Sequence, residues 1–393
     1  MKRKLILNML SITSALAMFL PSLKSIGYAD DSERSVYTMA DICALQDFLL
    51  TKDTDVLIDH DYDLNDDGIW NAVDLCFMKR QFSAAEHRTI SVSNSQELQM
   101  ALAEVQPGDT ILLSPGTYQT DQSGKSASFF CAQVSGTEKL PITLKSAVPE
   151  NPAVLSGNES SKNIVLYIIG EYWNIENLIC CNAKKGIMLD QASHSVIRNA
   201  VVYHIGEEGI HLRDGSSECQ VLNCRVYDTG LSTPQYGEAI YIGSAKSTTG
   251  YSYECHNNLV SGCILGPNVA AEHVDVKEYT TGNIIENCVM YGGGMTATDS
   301  FVDIKGNHVV VRGNTCDAQG NTNITDAFQV RSQVDGWGID NLVHGNTVTF
   351  AGETEYVVRS WRGSSCTVYD NIRQPENPSM MYRAYSGSTI TEQ

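Results

Sequence analysis

The 393-residue sequence predicts an all-β fold, a right-handed parallel β-helix, preceded by a small α-helical module built around an EF-hand-like loop. Three observations predict it. A turn recurs as IENLIC around Asn177, IRNAVV around Asn199, VLNCRV around Asn223, VSGCIL around Gly262, IENCVM around Asn287, VRGNTC around Asn314, VHGNTV around Asn346 and VYDNIR around Asn371, mostly at intervals of 22 to 32 residues with one of 39. The segments between these turns are short and β-branched and lack helical spacing, so each repeat reads as one coil of a solenoid rather than a four-stranded propeller blade of about 40 residues. Ahead of residue 85 the spacing is helical instead: ADICALQDFLL from Ala40 and VDLCFMKRQFS from Val73 form two copies, with Asp41 and Asp74 in register 33 positions apart.

The first 29 residues have a basic start, an apolar middle broken by Asn8, Ser11, Thr13 and Ser14, and a small residue at Ala29. This is the pattern of a secretory signal peptide, with an uncleaved membrane anchor as the alternative. It predicts a secreted, extracellular protein, free of the membrane after cleavage, and we expect a monomer. Removing Lys2, Arg3, Lys4 and Lys24 leaves 23 Lys and Arg against 46 Asp and Glu, a net charge of −23 compared with −19 for the full chain. Such a surface excludes nucleic acid as a partner and makes any local cluster of cations informative. Of the twelve cysteines, Cys224, Cys263 and Cys288 recur at one strand position, which predicts buried free thiols; Cys180 with Cys181, or Cys219 with Cys224, are the disulfide alternatives.

Between the two helical copies, DLNDDGIWNAVD (Asp63 to Asp74) meets the calcium-loop pattern. Calcium takes six to eight oxygens around a sharp turn. Asp63, Asn65, Asp67 and Asp74 supply side-chain oxygens, Ile69 a backbone carbonyl, Asn71 a ligand through water, and Gly68 the tight turn. In the first copy Asp30, Ser32 and Asp41 fit, but Arg34 and Ser35 break the pattern. With Asp rather than Glu at the twelfth position and the LCFMKR helix following, residues 30–84 resemble a cellulosomal type I dockerin. The resemblance implies calcium, a cohesin module of a scaffoldin as partner, cellulosome localisation, and contacts through Ala72, Val73, Lys79 and Arg80.

The solenoid is expected over residues 85–375, with 376–393 as a C-terminal tail. SVSNSQELQMALAEV has the apolar spacing of a short amphipathic helix that would cap the open end of the coil stack. QPGDTILLSPGTY, with LPITLKSAVPENPAVLSG after it, resembles the N-terminal coil of β-helical polysaccharide lyases of the pectin lyase-like fold.

Equal strand positions on successive coils stack about 4.8 Å apart. Aligning EGIHLRD, EAIYIGS, EHVDVKE, SFVDIKG, DAFQVRS and TEYVVRS predicts three exposed columns. They are Glu208, Glu238, Glu272, Ser300 and Asp326; His211, Tyr241, Asp275, Asp303 and Gln329; and Arg213, Gly243, Lys277, Lys305, Arg331 and Arg359. A plain charge ladder is the simplest reading, but stacked like charges repel unless a ligand anion or a metal cation sits among them. The pattern fits a groove for an acidic plant polysaccharide, with Arg359 and His211 on the polymer and Tyr241, Trp337 and Trp361 against sugar rings. The matching chemistry is β-elimination, in which a base removes the proton α to a uronate carboxylate while that carboxylate is neutralised. Lys277 is the base candidate beside Lys305 and Arg331, because neighbouring cations lower a lysine pKa.

EHVDVKE also resembles a segment of chondroitinase B and alginate lyase relatives. The resemblance implies Glu272 as a calcium ligand, Lys277 as base, and Lys305 in the place usually held by Arg. Ala270 stands where those relatives have a second acid, leaving Glu238, Asp275 and Asp303 as substitute ligands. Pectate lyases share the fold, the calcium and the basic residue, and pectate is the expected polymer. The alternatives are a polygalacturonase-like hydrolase using Asp299 with Asp303 or Asp326 with Glu272, and a non-catalytic carbohydrate-binding β-helix. His211, His273 and His308 lack metal-ligand spacing and are expected as surface or cap residues.

Overall fold

The computed structural model describes residues 39–51, 62–85, 88–120, 127–385 and 387–393. The signal segment 1–29, with Asp30, Ser32, Arg34 and Ser35, lies outside the described residues, as does the side chain of Arg80. The chain divides into two units, 1–85 and 86–393.

In the first unit, helices α1 (Met39–Thr51) and α2 (Ala72–Ala85) pack around Ile42, Leu45, Tyr62 and Met78. Trp70 closes this small core, edge-on to Phe48 at 5.6 Å and to Tyr62 at 5.7 Å. Among the described residues no helix is long and apolar enough to cross a membrane.

In the second unit every ladder is parallel, and the strands assemble three sheets of twelve, ten and ten strands. One coil shows the pattern: Trp173–Glu176 lies in the first sheet, Ile179–Ala183 in the third and Lys185–Asp190 in the second, and Val196–Arg198 then returns to the first. This is a parallel β-helix, with a continuous apolar core running along its axis from Val92 to Val368. Helix α3 (Ser95–Glu104) buries Leu98, Ala101 and Leu102 at the N-terminal end, where the sequence predicts a cap. Its start is a reciprocal cap: Asn94 accepts from the Glu97 amide, and the Glu97 carboxylate accepts from the Ser93 amide. At the other end residues 376–393 are not a loose tail. Tyr382–Ala384 and Thr389–Glu392 pair with Tyr356–Trp361 and Ser365–Tyr369 and build the last coil.

The recurring turn needs a left-handed backbone. Asn177, Asn199, Asn223 and Asn287 have φ between 53° and 56°, and Gly262, Gly313, Gly345 and Asp370 hold the same place. The predicted alignment therefore slips by one residue in the last three repeats: Asn314, Asn346 and Asn371 follow the turn and point into the core. There they form a ladder, Asn314 donating to Asn346 Oδ1 and Asn346 to Asn371 Oδ1. Cys224, Cys263 and Cys288 occupy the same column on earlier coils, since Arg225, Ile264, Val289 and Thr315 pair in register. All twelve cysteines are free thiols, so neither disulfide alternative forms.

Candidate active site

The second sheet brings the predicted columns together. His211, Tyr241, Asp275, Asp303 and Gln329 stack in register across five strands. Arg359 continues this column by pairing with Gln329, and Trp361 pairs with Arg331. The sequence alignment put Arg359 in the column of Arg331, two residues from its true position, because the terminal coil offers no Asp to anchor the register. The columns also differ from expectation in burial. Asp275, Asp303 and Lys305 are no more than 4% exposed, so these charges are enclosed rather than displayed. Buried charges persist only when paired.

The pairing is specific. Asp275 accepts from Lys277 at 2.5 Å and from Lys305 at 2.6 Å. Asp303 accepts from Lys305 at 2.8 Å and from both arms of Arg331. Two carboxylates thus serve three cations: Lys305 touches both, while Lys277 and Arg331 each share their one carboxylate with it, and of these two only Lys277 can give up its proton. Its ammonium also lies 4.6 Å from the Tyr241 ring centroid. Burial pushes the Lys277 pKa down, with the Lys305 charge adding to this and Asp275 opposing it. Burial works against the Lys305 charge too, but Asp275 and Glu272 outweigh it and raise that pKa. Asp275 is held down at about 2, its burial outweighed by Lys277 and Lys305. Burial, then Asp275 and Glu238, raise the Tyr241 phenol, so it keeps its proton.

His211 is buried, its Nε2 2.9 Å from the Gly243 carbonyl and its ring edge-on to Tyr241 at 4.4 Å. Burial, with Lys185 nearby, depresses it to about 3. His273 is buried against the Tyr291 carbonyl at 3.0 Å and is likewise depressed by burial, to about 4. Both depart from the expected surface or cap role, which only His308 keeps. Trp361 is stacked on Tyr385 at 3.6 Å, and Trp337 stands edge-on to Tyr279 at 5.5 Å. Tyr279 in turn meets Tyr253 at 5.2 Å, and Tyr251 lies under Arg213 at 3.8 Å. Of this aromatic edge, Trp337 and Trp361 were expected from the sequence, whereas Tyr251, Tyr253, Tyr279 and Tyr385 were not; the signal available was Tyr279, two residues after Lys277. Lys246 ties the edge down, its amide bonding Glu278 and its ammonium the Gln333 carbonyl at 2.6 Å.

Of the predicted second calcium ligands, Glu238, Glu272 and Asp275 converge with oxygens within 4.8 Å of one another. Asp303 stands apart, held by Lys305 and Arg331. Glu238 Oε2 is buried without a hydrogen-bond partner. Burial and the carboxylates of Asp275, Glu272 and Glu208 push its pKa well up, so it holds a proton unless a cation replaces it. Glu238, Glu272 and Asp275 offer three hard oxygen donors of the kind a calcium-like ion takes; Glu238 supplies the orphaned one, and the Asp275 oxygens are also held by Lys277 and Lys305.

In the first unit the Asp63–Asp74 loop curls as a calcium loop requires. Asp63 accepts from the amides of Asp67 and Gly68, and the buried Asp74 accepts from Leu64 and Asn71. Gly68 takes a φ of 75°. Asn65 and Asn71 both donate to Asp67 Oδ2, and Asn71 also donates to the Ile69 carbonyl, so the polar groups of the loop satisfy one another around the turn. Asp63, Asn65, Asp67 and Asp74 are the side-chain oxygen donors that a calcium ion at this loop would take. Val73 and Lys79 are exposed on α2.

Residues 77–351 match the model of the Pel9A-like, right-handed beta helix region. Pectate lyase L of Dickeya chrysanthemi is 24% identical over 264 residues, spanning 66% of this chain and 60% of its own length. The chain therefore spans less than two thirds of that curated relative. The crystal structure of an alginate lyase from Paenibacillus sp. str. FPU-7 is similar with a TM-score of 0.72 and 42% identity, over 77% of this chain and 99% of that one. The pectate lyase Pel9A structure, with a TM-score of 0.55 and 18% identity over 78% of each chain, shares the fold.

Proposed function

The chain belongs to the Pel9A-like right-handed β-helix family, and on that premise we propose that it is a polysaccharide lyase cleaving a uronate polymer by β-elimination at Lys277. One observation carries this reading: Asp275 is shared between Lys277 and Lys305, so one ammonium is under-compensated inside a buried face. Lys277, with its lowered pKa, takes the proton α to the uronate carboxylate. Lys305 stands in the place where the relatives carry Arg, and two carboxylates hold it charged at 5% side-chain exposure. Tyr241, beside Lys277 and still carrying its proton, is the donor to the leaving glycosidic oxygen. Arg331, whose side chain is 28% exposed, turns its open side to the substrate carboxylate. Glu238, Glu272 and Asp275 would hold a calcium ion, which when bound supplies positive charge to that carboxylate.

The polymer we propose is alginate, supported by the 42% identical alginate lyase that this chain covers almost completely. Pectate is the second reading, favoured by the similarity to pectate lyase L. A hydrolase acting through Asp299 and Asp303 fits less well, because Asp303 is fully engaged by Lys305 and Arg331. The test is a panel of alginate, pectate and chondroitin, with and without chelator, followed by the absorbance of the unsaturated product. Alginate should give that product, and Lys277→Ala should lower the rate by about 10²–10⁴-fold. Polymer shortening without unsaturated ends would overturn the reading.

For the first unit we propose a calcium-loaded dockerin that attaches a secreted enzyme to a cohesin module in a cellulosome. The fold of the Asp63–Asp74 loop and the exposure of Val73, at 48%, and of Lys79 support this. Titration of the full chain with a cohesin should show binding that EDTA abolishes and that Asp63→Ala with Asp67→Ala weakens. Chelator-insensitive binding, or none to any cohesin, would count against it.

A further inference from the structure

A second cluster of buried polar atoms lies on the same face, one to three coils beyond Lys277 toward the C-terminus. Ser300 and Asp326 are paired in register on adjacent strands, and Arg359 reaches back to Asp326 Oδ2 at 3.5 Å. Gln329 donates to the same oxygen at 3.1 Å, and its own column, shared with Asp303, is the polymer face described above. A plain buried ion pair does not account for this cluster. Ser300 Oγ, Asp326 Oδ1 and Arg359 Nε are all buried and have no hydrogen-bond partner. A partnerless buried polar group is destabilising, and three gathered at one place mark a site that a ligand completes.

The chemistry of the three atoms selects the ligand. Arg359 Nε carries a hydrogen and Ser300 Oγ can donate one. Burial, with Asp299 adding to it, pushes the Asp326 carboxyl up to about 8, so at neutral pH it donates as well. Donors at Arg359 Nε, Ser300 Oγ and the protonated Asp326, with the Arg359 charge among them, fit an anion with two oxygens better than a neutral hydroxyl. Asp326 lies two coils from Lys277, about 10 Å along the axis, within reach of the same extended polymer.

We propose that Ser300, Asp326 and Arg359 form a subsite that binds the carboxylate of a uronate unit on the C-terminal side of the cleavage point. This deepens the uronate-lyase reading and rests on it for the identity of the polymer. The subsite would make long oligomers bind more tightly than short ones, because only they reach from Lys277 to Arg359.

The test uses the full chain with trimannuronate and hexamannuronate, measuring KM by product absorbance and binding by calorimetry. Arg359→Gln and Asp326→Leu should weaken the hexamer about tenfold more than the trimer, the scale of one lost charge-assisted hydrogen bond. Asp326→Asn keeps a donor and the side-chain shape, so it should retain most of the hexamer preference. Thermal unfolding of each variant separates binding loss from misfolding, and Asp326→Asn with Arg359→Gln keep the test available if Asp326→Leu fails to fold. Equal losses on both lengths, or no loss with Arg359→Gln, would overturn the subsite. If the wild type gives no unsaturated product yet binds hexamannuronate in an Arg359-dependent way, the lyase reading falls and the subsite stands. If the wild type binds no hexamannuronate, the subsite falls.

Discussion

Two ladders in this solenoid obey the same stacking geometry and solve it differently. Inside, Asn314 donates to Asn346 and Asn346 to Asn371, and the ends close on backbone, Asn314 accepting from the Cys288 amide and Asn371 donating to the Val343 carbonyl, because a carboxamide has both donor and acceptor. Such a column satisfies itself. Outside, Asp275 on Asp303 and Lys277 beside Lys305 cannot, since a like neighbour offers only repulsion. The two charged columns must interleave, Lys305 between Asp275 and Asp303 and Arg331 on Asp303. The interleaving runs out at Lys277 on one side and at Arg331 on the other, and of the two only the lysine can shed its proton. An uncharged ladder is closed along its length, whereas a charged one leaves an under-compensated group at its end, and chemistry becomes available there.

The sharpest way to break the comparison is to remove one member from each ladder. Asp275→Ala leaves the buried Lys277 ammonium without its carboxylate and Lys305 with Asp303 alone, and should cost about 3–5 kcal/mol of stability in urea unfolding together with all elimination activity. Asn346→Ala should cost less, about 1–3 kcal/mol, because it strands neutral groups, and should leave the active face assembled. Equal costs would show that charge is not what distinguishes the ladders.

A smaller effect concerns pH. The folded pKa of Asp326 is raised to about 8, so between about pH 4 and pH 8 the folded chain holds a proton that the unfolded chain has lost. Stability contributed by this group is therefore present at low pH and lost as pH rises toward 8. Melting curves of wild type against Asp326→Asn should diverge over that window, the wild type losing relative stability with rising pH; parallel curves would refute the assignment. The smallest effect is on thiols. Cys43 and Cys76 are exposed and should react rapidly with a thiol reagent in the native state, while Cys224, Cys263 and Cys288 should react only on unfolding.

Much of this was legible in the sequence because stacking repeats copy their own pattern. VDVKE and FVDIKG announce that Asp275 lies against Asp303, and the register agrees. The turn positions were legible where Asn carries the left-handed residue, and shifted where Gly313, Gly345 and Asp370 do, since adjacent Asn residues drew the alignment. Burial was not legible: a charge at an outward position looks exposed, and only the loops over the face enclose it. The donor role proposed for Tyr241 was not legible either, since it depends on which cations are already paired, not on residue type. The Ser300, Asp326 and Arg359 cluster was invisible because Arg359 was placed two positions out of register.

The account stands most directly on the unequal treatment of two lysines. An NMR titration of the lysine Nζ groups, assigned with Lys277→Arg and Lys305→Arg, measures it. Lys277 should lose its proton below the ordinary lysine value of about 10.4 while Lys305 stays charged above it. A Lys277 that titrates at or above Lys305 would contradict the account.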